Sequence, residues 1–176
     1  ILNNKEVLII GSSKNLELYR KDLEDFIRKQ KPIVIALNAC SQIDESFIDY
    51  RIACNPMRLM ADLDIYLGLS QPLITPLSML PKSLSRKLRG KKVLDYGIGI
   101  SRDGFEFNKS YGIIPNQLVF AYVLSFIASG KANKAFLSGF EGYGLGDIRN
   151  TEINDLIDKF RKNKGDLRLI SVTPSH

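Results

Sequence analysis

Uninterrupted apolar runs alternate with stretches of helical periodicity along this chain. Val7 to Ile10 is the first such run, and a Gly-Ser-Ser turn closes it. Leu16, Tyr19, Leu23, Phe26 and Ile27 then recur at helical spacing before Pro32 leads into a second apolar run, Ile33 to Leu37. Strands that are apolar throughout belong to sheets covered on both faces, and strand–helix–strand units join parallel strands by right-handed crossovers.

The pattern continues with interruptions. "DYRIACNP" reads as a third strand ending at Asn55-Pro56, with a short helix begun at the proline and reaching about Asp62. Prolines at 72, 76 and 81 predict an irregular connection around one short strand, then a helical segment from Lys82 to Arg89 ahead of "KKVLDYG". In the last third, Pro115 is expected to start a helix that Gly130 stops, and "KAFLSG" is a strand. Thr151 is expected to cap a helix with Ile153, Leu156, Ile157 and Phe160 on one face, and "LRLISVTP" is the final strand. The succession predicts an α/β fold over residues 1–176, a single Rossmann-like three-layer α/β/α domain with a mainly parallel sheet, without repeats or linkers.

Composition narrows the class. The chain has 176 residues, 44% of them hydrophobic and 25% charged, enough to bury a core and unlike a disordered segment. The longest apolar stretch, Leu118 to Ala128, falls short of the roughly 18 residues a membrane span requires. Cys40 and Cys54 each follow an apolar run, the setting of reduced, structural thiols, and a cytoplasmic location is expected from them. One histidine and two cysteines do not assemble a structural zinc site, and no cofactor is expected. The start at Ile1 reads as a domain cut from a longer protein.

Charge adds one feature. Of the net charge of +6, Lys82, Arg86, Lys87, Arg89, Lys91 and Lys92 form one acid-free stretch suited to phosphates, an acidic partner or a membrane surface. The simpler description is a solvated helix face leading into a strand, and no aromatic side chains interleave to stack bases, so nucleic acid is not expected as a partner.

In an open parallel sheet, ligands bind beyond the carboxyl ends of the strands. That directs attention to four turns: Gly11–Asn15, Asn38, Asn55-Pro56 and 139–146. Gly11 stands alone in the first turn, without the extra glycines of a dinucleotide fingerprint, so a nicotinamide dinucleotide is disfavoured. Ser12, Ser13 and Asn15 precede a predicted helix, where free N–H groups attract an anion or simply cap the helix. Asn38 and Asn55 end strands, as turn formers or as amides presented to a sugar or base. The loop "SGFEGYGLGDIRNTE" offers Glu141, Tyr143, Asp147 and Arg149 among four glycines, as a long turn or a close-approach loop.

In order along the chain, "VLIIGSSKNL", "IALN", "IACNP", "GIIPNQLVFAYVLSFIASGKANKAFLSGFEGY" and "LRLISVTPS" resemble the small bacterial sialyltransferases that use a cytidine-activated sialic acid. The resemblance implies a pyrimidine nucleotide or nucleotide-sugar held by Gly11, Ser12, Ser13, Asn15, Asn38, Asn55, Glu141 and Tyr143. The first turn here lacks that family's second glycine and proline, and Glu141 stands where the family has aspartate. The family's histidine base after the fourth turn has no counterpart, and His176 is the only histidine. The chain also resembles the C-terminal domains attached to aldolase-type, HMG-CoA-lyase-like proteins of surface-polysaccharide clusters, again through "VLIIG", the asparagine-ended second strand and the "TP" ending. The expectation is a recognition domain without catalytic residues of its own, covalently linked to an N-terminal catalytic domain and able to self-associate. The alternatives are an active glycosyltransferase, with Glu141 or Asp147 as base, and a structural or oligomerisation module.

Overall fold

The computed structural model describes residues 1–39, 41–140, 147–163 and 167–174. The chain opens with strand β1 (Glu6–Ile10), a 3-10 turn (Lys14–Tyr19), helix α1 (Arg20–Gln30) and strand β2 (Ile33–Leu37). After β3 (Tyr50–Ile52) come the short helices α2 (Pro56–Ala61) and α3 (Leu63–Gly68), then β4 (Leu73–Thr75), α4 (Lys82–Lys87) and β5 (Val93–Asp95). Strands β6 (Gly97–Ile100), β7 (Glu106–Phe107) and β8 (Tyr111–Ile114) precede α5 (Val119–Ser129), β9 (Lys134–Ser138), α6 (Ile148–Asn163) and β10 (Arg168–Ser171).

Seven strands form one parallel sheet in the order β10-β9-β1-β2-β3-β4-β5. β1 is central, with Val7 opposite both Ile33 and Ala135, and its apolar residues are buried on both faces. Alternation along the strand sends Leu8 and Ile10 to one side, where Leu23 and Ile27 of α1 cover them, and Val7 and Ile9 to the other, where α5 and α6 lie. Helices α2, α3 and α4 extend the α1 layer over β3 and β4 through Leu59, Leu63, Tyr66, Leu84 and Leu88. The result is a Rossmann-like three-layer α/β fold. The chain builds outward from β1 to β5 on one side and returns to place β9 and β10 on the other, so the order reverses between β1 and β9.

Two expectations change, and one unit was not foreseen. Pro115 does not start α5: β8 runs to Ile114, Asn116 Oδ1 accepts from the Leu118 N–H (3.2 Å), and the helix begins at Val119. Thr151 lies inside α6 rather than at its cap, because the helix begins at Ile148. Residues 97–114 form a small separate sheet in the order β6-β8-β7. That sheet lies on the outer side of α5: a Cβ added at Gly112 would overlap Ser125 Oγ, and Phe105 and Phe107 meet Phe160 of α6 edge-on at 5.2 and 5.8 Å. Enclosed between two sheets, α5 is apolar almost all round.

Candidate functional site

The point where strand order reverses is where a doubly wound sheet opens a crevice, because the connections leaving its two central strands depart to opposite faces. Here those strands are β1 and β9, and the residues that end them are Gly11 and Gly139. The Gly11 N–H donates to the Ser138 carbonyl (2.8 Å), and a Cβ at Gly11 would overlap the Gly139 carbonyl oxygen. Gly139 has φ +78°, a left-handed conformation that favours glycine. Its N–H is held from behind by Thr173 Oγ1 (3.2 Å), while Ser171 Oγ donates to the Thr173 carbonyl (2.7 Å). The turn after β10 thus fixes the turn after β9.

A matching arrangement stands on the other side of β1. Asn38 ends β2 at φ +61°, its N–H donating to the Ile52 carbonyl (2.9 Å). Arg51 of β3, fully buried, donates from Nη1 to the Asn38 carbonyl (3.2 Å) and pairs with Glu45. One strand further out, Asn55 caps α2: its Oδ1 accepts from the N–H groups of Met57 (2.9 Å) and Arg58 (3.1 Å), while Pro56 occupies the first helical position.

These strand ends open into one cleft of about 790 Å³. Gly11, Ser12, Ser13, Asn38 and Asn55 all line it, as the topology demands of strand ends on one edge of a parallel sheet. Asn15 does not. It is exposed, and its N–H donates to Ser13 Oγ (3.3 Å), the cap of the 3-10 turn. The free N–H groups of α1 are also displaced from the crevice, because α1 starts only at Arg20, after that turn. Glu141 and Tyr143, like Cys40 and His176, lie outside the described residues.

Opposite the strand ends, α6 contributes Asn150, Glu152, Ile153, Ile157 and Arg161, and Phe120 and Phe140 close the wall with rings 4.6 Å apart. Sequence reasoning passed over this wall. The signal was present: positions 150, 153, 157 and 161 follow the helical spacing already used for the core face of the same helix. Arg58, in the first turn of α2, was missed too, although it follows Asn55 by three residues.

The cleft's described titratable side chains are Cys54, Arg58, Glu152 and Arg161. Burial pushes the Cys54 thiol up to about 12, and its Sγ lies 3.8 Å from the Gln117 carbonyl. It is therefore a neutral thiol at ordinary pH, neither a nucleophile nor a base. Arg58 and Arg161 outweigh Glu152 in charge, and the other polar groups are amide and hydroxyl side chains of the strand ends, of α6 and of Gln117, with the backbone. This set can hold an anionic, hydrogen-bonding ligand with an apolar or planar part against Phe120, Phe140, Ile153 and Ile157. No family model matches the chain, and no curated protein does. Among the described residues, no group of three or more His, Cys, Asp or Glu is placed to hold a metal ion, and no helix is long and apolar enough to cross a membrane.

Proposed function

We propose that the cleft recognises a nucleotide or nucleotide-activated sugar, and that the chain is a recognition domain rather than a catalyst. The convergence of Gly11 and Gly139 at the reversal of strand order supports this most strongly: their missing side chains let the ends of β1 and β9 pack backbone to backbone, and both line the crevice where a doubly wound sheet takes its ligand. Arg58 and Arg161 supply positive charge for phosphate, Asn38 and Asn55 flank the strand ends, and the aromatic wall suits a planar base. A pyrimidine is the preferred base, from the resemblance to the cytidine-dependent sialyltransferases, and attachment to an aldolase-type catalytic domain follows from the second resemblance. Recognition without chemistry fits the described titratable groups, of which Cys54 is held neutral and Glu152 is exposed.

The test is titration calorimetry with cytidine, uridine, adenosine and guanosine monophosphates and a cytidine-activated sugar. Affinity of about 1 mM or tighter is expected, with pyrimidines preferred. Arg58→Ala and Arg161→Ala should each weaken it roughly 10- to 100-fold, the range for hydrogen bonds to a charged group. Absence of heat with every nucleotide at about 1 mM would refute the proposal.

A further inference from the structure

The segment from position 56 to 92 carries seven Lys and Arg against two Asp, a net +5 in a chain whose total is +6. Almost all of the protein's excess charge therefore belongs to one layer, the α2–α3–α4 layer over β3 and β4. Five of its cations are not used internally. Lys82, Arg86, Lys87, Arg89 and Lys92 are all exposed and make no ion pair with a described residue, whereas Lys91 turns inward to the Leu69 carbonyl at the end of α3. Like charges held this close repel one another, and the two acids of the segment, Asp62 and Asp64, offset them only in part.

The same layer presents apolar side chains to solvent. Ile65 (47% exposed) and Leu67 (44%) stand on α3, and Met79 (58%) lies three residues before α4. Leu63 and Tyr66 of α3 and Leu84 of α4 turn inward in one cluster, which puts both helices in one layer. A nucleic-acid surface of this charge would carry aromatic or amide side chains among its cations, to stack on or read bases. This one carries aliphatic and thioether groups, which gain by entering the interfacial region of a bilayer while cations around them meet anionic headgroups.

We propose that the α3–α4 face is a peripheral binding surface for an anionic lipid membrane, with Lys82, Arg86, Lys87, Arg89 and Lys92 meeting headgroups and Ile65, Leu67 and Met79 entering the interface. The inference is independent of what the cleft binds. Each cation near an anionic bilayer raises partitioning roughly fivefold. The test is co-sedimentation of the full chain with vesicles of phosphatidylcholine alone and of phosphatidylcholine mixed with phosphatidylglycerol. Binding is expected to the mixed vesicles and not to the neutral ones, and to weaken with salt. The triple variant Lys82→Ser, Arg86→Ser, Lys87→Ser should bind roughly 100-fold more weakly, and the double variant Leu67→Ser, Met79→Ser should lose the part of binding that survives at high salt. All five positions are exposed, and an unchanged unfolding midpoint confirms that each variant folds. Equal binding to both vesicle types, or none to the mixed vesicles at low salt, would overturn the proposal. So would tighter binding to a single-stranded RNA oligonucleotide than to the mixed vesicles, left unchanged by Leu67→Ser with Met79→Ser.

Discussion

At the scale of single residues, the cleft depends on two glycines in contact. In Gly11→Ala the methyl group would meet the Gly139 carbonyl oxygen, backbone that cannot swing aside as a side-chain tip can. Overpacking of this kind costs about 1–3 kcal/mol, so the variant should unfold at lower urea and lose nucleotide affinity together. Wild-type stability and affinity would show that β1 and β9 can separate freely. Cys54 makes a separate prediction. Its folded pKa, about 12, is above the ordinary value of 9.0, so the buried neutral thiol adds stability that is complete below pH 9. That contribution is lost as pH rises from 9 toward 12, since only the unfolded chain then releases the proton readily. In a Cys40→Ser background, native alkylation of Cys54 at pH 8 should be far slower than in urea, and the unfolding midpoint should fall above pH 9 more steeply than in Cys54→Ala. Equal alkylation rates in the two states would contradict the burial.

At the scale of elements, each left-handed strand end is held by a buried side chain from outside its own strand: Asn38 by Arg51 of β3, and Gly139 by Thr173 in the turn after β10. Thr173→Val would leave the buried Gly139 N–H without its acceptor, at about 1–3 kcal/mol, whereas Thr173→Ser keeps the oxygen. Hydrogen exchange at the Gly139 amide should therefore quicken in the valine variant and stay near wild type in the serine variant. Identical behaviour of the two would remove Thr173 from the site's construction. The elements differed in how openly the sequence announced them. Strand β2 is apolar throughout and β1 and β9 carry apolar runs, Val7 to Ile10 and Ala135 to Leu137, because both faces are covered, and that pattern needs no knowledge of their neighbours. The small sheet is different. Gly97, Gly99 and Gly112 carry weak strand propensity, and Gly112 is explained by Ser125 of α5 and the Tyr96 hydroxyl, which no local pattern reveals. The true start of α5 was hidden for a similar reason, since Pro115 is as compatible with ending β8 as with beginning a helix.

At the scale of the whole molecule, topology made the site partly legible before any side chain was placed. A parallel sheet puts every carboxyl strand end on one edge, so Gly11, Ser12, Ser13, Asn38 and Asn55 reach one cleft from positions spread over a quarter of the chain. The α6 wall escaped because its residues were sorted as core or solvent, whereas Ile153 and Ile157 are half-buried on the cleft between the two. Asn15 stands outside the cleft because the turn after β1 enters a 3-10 turn and not α1 itself. The molecule also separates two positive regions, the cleft with Arg58 and Arg161 and the α4 face with its unpaired cations, and an anionic ligand must be shown to choose between them. Amide chemical shifts followed during titration with cytidine monophosphate make that distinction. Shifts of the Gly11, Ser12, Asn38, Asn55 and Gly139 amides that saturate together are the predicted result; shifts confined to residues 82–92, or none at the strand ends, would contradict a nucleotide site at the reversal of the sheet.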